Sequence, residues 1–472
     1  MNTSVKYEKF SGKMLMVGCG SIGQGVLPLI LRHLDMEARQ MTIVTADERG
    51  RAEADQFGIG FHHIMMTPEN FRQVLEPLLG AGDFMVNLSV DVSSVDLVRL
   101  CHEHGALYID TCIEPWPGAY TDSSATPAQR SNYALRESML ALRAGLGPGP
   151  TAVVAHGANP GMVSYFVKQA LLNIAADTTG GVTPPVDQAG WASLARALGI
   201  RTIHIAERDS QAGSRPKAVD EFVNTWSIDG FVSEGCQPAE LGWGTHEKLA
   251  PPDGELIQTG RARGMILSRP GASVRVRTWT PLQGPFHGFL ITHNESISIN
   301  EYFTVWADGE AVYRPTVHYA YHPCDHAVLS LHELAGRSWR QQERQRLMMD
   351  EITSGIDELG VLLMGHQKGA YWYGSQLAIE EARRLAPFNN ATSLQVAAAV
   401  LSGMIWAMEN PNRGIVEAEQ MDFARNLEIC RPYLGPLVGA YSEWSPLADR
   451  GRLFPELVDE SDPWQFSNVR VN

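Results

Sequence analysis

Six cysteines are spread through 472 residues, and no two are spaced as a CxxC pair. Cys19, Cys101, Cys112, Cys236, Cys324 and Cys430 therefore suggest neither a zinc ribbon nor a disulfide scaffold, and free thiols in a reducing compartment are expected. Basic charge is also scarce: 38 Lys and Arg stand against 53 Asp and Glu, a net charge of −15. Nucleic-acid binding needs clustered Lys and Arg, so no nucleic-acid partner is expected. No apolar run reads as long enough to span a bilayer. The opening "MNTSVKYEKFSGK" lacks the apolar core of a signal peptide. The expectation is a cytoplasmic protein with no membrane partner. Internal repeats and low-complexity tracts are missing too. What is present, 44% hydrophobic and 19% charged residues, is ordinary for a globular chain of more than one domain.

The first 160 residues alternate between strand-like and helix-like segments. "KMLMVG" (13–18), "MTIVTAD" (41–47), "FHHIMM" (61–66), "DFMVNLS" (83–89), "ALYIDTC" (106–112) and "TAVVAHG" (151–157) read as strands. Between them "SIGQGVLPLILRHL", "PENFRQVLEPLLG" and "SNYALRESMLALRAG" have helical spacing, and Ser93 is placed to cap a further helix. This order predicts an α/β fold with a doubly wound parallel sheet. A strong helix, "GMVSYFVKQALLNIAAD", follows Gly161. From about 263 to 322 strand-like segments dominate, including "HGFLITHNESISINEYFTVW", so a second, α+β and β-rich domain with a mostly antiparallel sheet is expected. The predicted divisions are residues 1–160, 161–390 and a C-terminal helical segment, 391–472. Its helix, "SLQVAAAVLSGMIWAME" (393–409), is a candidate to pack back on the first domain.

"GCGSIG" (18–23) follows a strand and opens a helix, the context a dinucleotide-binding turn requires. Glycines there allow a tight turn and close approach to a pyrophosphate, and the helix N-terminus supplies free N–H groups. Asp47 ends the second strand, placed to bond ribose hydroxyls and to repel a 2′-phosphate. Arg49 and Arg51 argue the other way, since either could pair with that phosphate. The balance favours NAD. Asp91, Asp110 and Glu114 follow the fourth and fifth strands, where ligands of open α/β sheets sit. Asp110 reads equally well as a turn or capping residue. "AHGANPG" (155–161) turns into a helix that could face the cofactor.

"VNTWSIDGFVSEG" (223–235) sets Trp226 among acids, with Glu207, Asp209, Asp220 and Glu221 upstream. Either Trp226 is core and the acids are solvated, or a cation binds here. In "ITHNESISINEYF" (291–303) alternation predicts a strand with His293, Glu295 and Ile297 on one face, lining a cavity or a solvated edge. His318, His322 and His326 recur every four residues, but Pro323 breaks a shared helix face and no metal site is expected. "KGAYWYG" (368–374) reads as packing rather than a binding cage.

Together "VNTWSIDGFVSEGCQPAELGWGTHE", "GCGSIG", "NLSVDVSS", "YIDTCIEPW" and "HNESISI" resemble the bacterial homospermidine synthases, a branch of the saccharopine dehydrogenase-like superfamily. The resemblance runs over nearly the full length. It implies a homodimer of chains, each with an NAD-binding Rossmann domain and a β-rich substrate and dimerisation domain. It implies that putrescine is oxidised to an imine, ammonia is lost, a second aminobutyl amine joins, and the new imine is reduced to homospermidine without net redox change. Spermidine is a further candidate donor, releasing diaminopropane. By the same resemblance Trp226 is the cation–π partner of the amine, with Glu207, Glu234, His293, Glu295 and Asn159 catalytic. Asp91 and Glu114 would bind substrate. Gly18, Gly20, Ser21, Ile22, Gly23, Asp47, Ser89, Asp110 and Thr111 would hold the cofactor, the ribose carboxylate being Asp47 or a near neighbour.

The chemistry suits these residue types. A diamine with amines near pKa 10 is a dication at pH 7, and carboxylates offset its burial with charge-assisted bonds. An aromatic face attracts a cation without freezing its proton into an ion pair. His293, Glu234 or Glu207 could be the base, the two glutamates being favoured. Two rivals remain. A saccharopine- or carboxynorspermidine-type NAD(P)H-dependent reductase needs an arginine for a substrate carboxylate, with Arg208, Arg261 and Arg263 available. A non-enzymatic NAD-binding sensor on the same fold needs none of the acids.

Overall fold

The computed structural model describes residues 5–122 and 124–471. Two sheets organise it. The first has seven strands in the order Ile415–Val416, Ala152–Val153, Leu107–Asp110, Phe84–Asn87, Met14–Val17, Met41–Thr45, Gly60–His63. Every pairing in it is parallel. Its central strand, MLMV, is buried at every position, as a strand covered by helices on both faces must be. From Met14–Val17 the chain crosses first to one side, Met41–Thr45, and then to the other, Phe84–Asn87. That reversal opens a crevice above the carboxyl end of the central strand.

The capping expected at Ser93 is present: its hydroxyl accepts the Asp96 N–H at 3.3 Å and starts the helix Ser94–His104. The helix Ser21–His33 continues past Pro28. The sheet gains one strand that the sequence does not announce. The sixth expected strand is only Ala152–Val153, and Ile415–Val416 returns from far along the chain to extend the sheet beyond it. Residues 391–472, expected to be helical, thus supply this strand, and also Leu437–Ser442 and Arg470–Val471 of the second sheet.

The second sheet has eleven strands and is mixed. Thr202–Asp209 lies at its centre, parallel to Thr316–His322 and antiparallel to Ile356–His366. The helix Met162–Thr179 packs on the Ile356–His366 and Gly369–Ala378 strands of this sheet. The helix Ala391–Glu409 packs on Ser21–His33 and on the strand Leu107–Asp110. Contrary to the sequence reading, this 19-residue helix is long and apolar enough to cross a membrane, with a mean hydropathy of 1.5. It is spent inside the protein instead, with 89% of its apolar 18-residue stretch buried. A buried triad also ties the halves together. Arg136, on the helix Asn132–Leu146, grips Glu417 bidentately at 2.6 and 2.8 Å and Glu301 at 2.6 Å.

One expectation is overturned outright. Residues 295–302 form a helix, Glu295–Tyr302, not a strand. The alternating pattern misleads because residues 295–300 are buried all round. Two of the polar ones bond inside the protein: Ser298 donates to Glu419 at 2.8 Å, and the Asn300 amide N–H to the Pro315 carbonyl at 2.8 Å. His318 and His322 sit on one strand and His326 on the next helix. His318 packs instead on His204, ring centroids 4.1 Å apart. Among the described residues no group of three or more His, Cys, Asp or Glu is arranged to hold a metal ion.

Candidate active site

The crevice over the first sheet is a cavity of about 570 Å³, within the size range of cofactor sites. Gly18, Gly20, Ser21, Ile22, Asp47, Ser89 and Asp91 line it. Gly18 has φ +83°, and a Cβ there would stand 2.7 Å from the Ser89 backbone, so the turn tolerates only glycine. A Cβ at Gly20 would meet none of the described residues within 4 Å, leaving open space in front of the first helix turn. The amides of that turn have no intrahelical acceptor. Among the described residues the buried Ser21 hydroxyl has no partner. Open space, free donors and a positive helix end fit a dinucleotide pyrophosphate.

Asp47 lies at the far side of the cavity and holds Arg49 by its N–H at 2.9 Å and its Nε at 2.7 Å. Burial works to raise the Asp47 pKa, but the bonds and charge of Arg49 outweigh it and keep the carboxylate ionised. Arg51 is taken up by Glu48 and by the Phe61 ring. Both arginines that could greet a 2′-phosphate are thus already paired with carboxylates that would repel one.

Beyond the cavity the acids converge. Glu207 and Asp209 are two apart on one strand and so share a face, and the register sets Asp357 opposite Asp209. Tyr321 stands opposite Glu207 on the other side, with Tyr319 two residues before it. Glu207 accepts from the Tyr319 hydroxyl at 2.5 Å and from the Asn159 amide at 3.1 Å. Asp209 accepts from Thr225 at 2.7 Å, and Asp357 from Thr392 at 2.5 Å. Burial raises all three carboxyl pKa values; mutual repulsion adds to this for Glu207 and Asp357. Half-buried Trp226 donates its indole N–H to Tyr321 at 3.0 Å and packs on Phe231 at 5.1 Å. Tyr321 stacks on Tyr319 at 5.0 Å, so the indole reaches the acids through the two phenols.

His293 links this group to the cofactor side. One ring nitrogen meets Glu295 and the other Glu234, each at 3.1 Å, and the ring lies 4.5 Å from Tyr319. Burial alone would lower its pKa, but the two carboxylates reverse the sign and hold it well above 6.5, so the ring is an imidazolium at neutral pH. Glu114 accepts from Cys112 at 3.0 Å, and burial, with repulsion from Glu234 and Asp91, pushes it up to about 7. A path of acids therefore runs from Asp91 at the cavity wall through Glu114, Glu234 and Glu295 to Glu207, Asp209 and Asp357. Among the described residues none of them forms an ion pair with Lys or Arg; the only cation bridged to any is His293.

The family described as saccharopine dehydrogenase NADP binding domain matches residues 14–153, and saccharopine dehydrogenase C-terminal domain matches residues 157–441. A homospermidine synthase of Blastochloris viridis is 56% identical over 471 residues, 98% of each chain. The chain belongs to the homospermidine synthase family. A second member, from Mesorhizobium japonicum, is 51% identical over 98% of this chain and 97% of the relative. The crystal structure of the homospermidine synthase of Legionella pneumophila in complex with NAD superposes with a TM-score of 0.93 at 48% identity, covering all of both chains.

Within this homospermidine synthase fold most of the expected site residues meet, but three do not. Gly23 lies beneath the cradle, where a Cβ would press on the Gly18 carbonyl at 3.1 Å. Asp110 is turned inward: its buried carboxyl accepts from Tyr108 at 2.8 Å and from the Ala155 N–H at 2.6 Å, tying two strand ends together. Thr111 adjoins Gly157 and does not line the cavity. The sequence reading missed Tyr319, Tyr321, Asp357 and Glu240, and named Asp209 only as a neighbour. Glu240 is wholly buried, which pushes it up to about 8, with His293 in electrostatic reach. A partial signal existed in "AERD" and "HYAYH", where every second residue is polar or aromatic, but their opposition across strands is visible only in the folded sheet.

Proposed function

We propose that this site makes homospermidine from putrescine by a redox-neutral aminobutyl transfer with NAD as its cofactor. The observation that carries the reading is the path of carboxyls, most of them buried, unmatched by lysine or arginine. Left alone it is costly. A linear dication laid along it would offset that cost with charge-assisted bonds. The rival reductive condensation needs an arginine aimed at a substrate carboxylate. Here Arg208 turns away to Asp325 and Arg261 lies over Trp306. Arg263 belongs to the Arg314 neighbourhood, and among the described residues none of the three forms an ion pair with these acids, although Arg208 bonds the Asp209 carbonyl and acts on its carboxyl electrostatically.

When bound, NAD supplies the hydride acceptor and then the hydride donor. The protein's part is to hold charge and move protons. Glu207, with a pKa near 7, is poised to take the proton from the reacting ammonium, and Asn159 and Tyr319 orient its carboxylate. Trp226 would hold the resulting iminium through its ring face, at about 0.5–2 kcal/mol, without locking a proton in place. The Glu234–His293–Glu295 group carries one positive charge between two acids and can pass a proton toward the departing ammonia. Asp91 and Glu114 would bind the distal ammonium beside the cofactor cavity. Spermidine as donor would leave diaminopropane. Assembly as a homodimer in the cytoplasm belongs to the same reading, and the six free thiols suit that compartment.

The test is product analysis. Putrescine with catalytic NAD should give homospermidine and ammonia with no accumulating NADH. Stoichiometric NADH release would instead make the protein a simple amine dehydrogenase.

A further inference from the structure

A redox-neutral cycle works only if the reduced cofactor stays bound between its two hydride steps. The first sheet alone builds only part of the cavity. The remaining wall comes from the other half of the chain: Ser227, Ile228, Asp229, Gln345 and Leu347 line the same space as Gly18 and Asp47. Their placement is firmly built. The strand Glu221–Asn224 pairs in parallel with Arg344–Leu347, so residues just past the one stand beside the other. Ser227 caps the helix Ile228–Cys236 by accepting the Gly230 N–H at 3.1 Å. Asp229, in its first turn, is gripped by Gln345 at 2.5 Å and more loosely by Gln341 at 3.4 Å. Across the cavity Asp229 lies in electrostatic reach of Arg49 and of Asp91. It thus faces both the loop that carries Asp47 and the one that carries Asp91.

We infer that the start of this helix, Ser227–Asp229, pinned by Gln345, is a clasp that keeps the dinucleotide in place. The helix also has a second connection. Trp226 directly precedes it, and Glu234, on its second half, bonds His293. One rigid element therefore closes over the cofactor at its start and completes the amine site further along. Arg49 stays on the far lip through Asp47, so the clasp has a fixed charge to close against.

This inference rests on reading the cavity as the NAD site, and the experiment separates the two. Purified holoprotein is passed through a desalting column, and the NAD it releases is followed over time by enzymatic cycling for wild type, Asp229→Ala and Gln345→Ala. Wild type should keep its NAD through the column, and both variants should release it about tenfold faster. Melting temperatures of the cofactor-free chains should be unchanged. Gln345 is an exposed residue, so its variant decides the matter if Asp229→Ala folds poorly. Release from Gln345→Ala within threefold of wild type would overturn the clasp alone. Wild-type protein that binds no NAD would overturn the reading of the cavity itself.

Discussion

Replacing Trp226 separates ring electrostatics from simple packing. The indole has two attachments in the structure, its N–H to Tyr321 at 3.0 Å and its ring on Phe231 at 5.1 Å. Trp226→Phe keeps an aromatic face on Phe231 but loses the N–H bond and the strongest of the aromatic quadrupoles. Trp226→Ala loses all three. A cation–π contact of up to about 2 kcal/mol corresponds to about 30-fold in rate if it acts in the transition state. The lost hydrogen bond adds about 1 kcal/mol, or about fivefold, to both variants. Trp226→Ala should therefore lower kcat/KM for putrescine by about 100-fold, and Trp226→Phe by about 5–10-fold. Steady-state formation of homospermidine gives both numbers, with thermal melts as the control for folding. Equal losses in the two variants, at matched melting temperatures, would refute a role for the aromatic face.

Two further outcomes follow from buried charge. Glu207 has a folded pKa raised by burial to about 7, against 4.5 when unfolded. As a base it must be ionised, so kcat/KM should rise with pH through about 7, and Glu207→Gln should remove that limb along with most of the activity. The sign for stability is opposite: the folded state favours the protonated acid, so stability from this group is lost as pH climbs from about 4.5 to 7. Glu207→Gln should accordingly raise the melting temperature of the cofactor-free protein at pH 8 and change it little at pH 4.5; no rise at pH 8 would count against a strained carboxylate. Arg136→Met leaves Glu417 and Glu301 buried without their cation and should cost about 3–5 kcal/mol of stability in denaturant titration.

The cofactor cradle was legible in the sequence because its demands are local. A turn that admits only glycine at Gly18, followed by a helix start, leaves a continuous signature in six residues. The amine site is assembled differently. Glu207 meets Tyr319 more than a hundred residues away and lies near Asp357 on a third strand, so no spacing rule can link them. Only resemblance brought Glu207, Glu234 and His293 together beforehand, and it passed over Asp357 and the two tyrosines. Asp110 shows an ambiguity that sequence could not resolve: a carboxylate at that end of a strand reads equally as a ligand group or a capping one, and it serves the backbone of its neighbour. The misread helix at Glu295–Tyr302 arose because its polar residues from 295 to 300 are buried and no longer mark the solvent side.

The short strand Ile415–Val416 carries a consequence for how the molecule is made. Until the ribosome has delivered it, the Ala152–Val153 edge has no neighbour on that side, and the long apolar helix that backs the sheet has only just been synthesised. A fragment cut near residue 160 should emerge with a raw margin and a tendency to clump, rather than as a free-standing cofactor module.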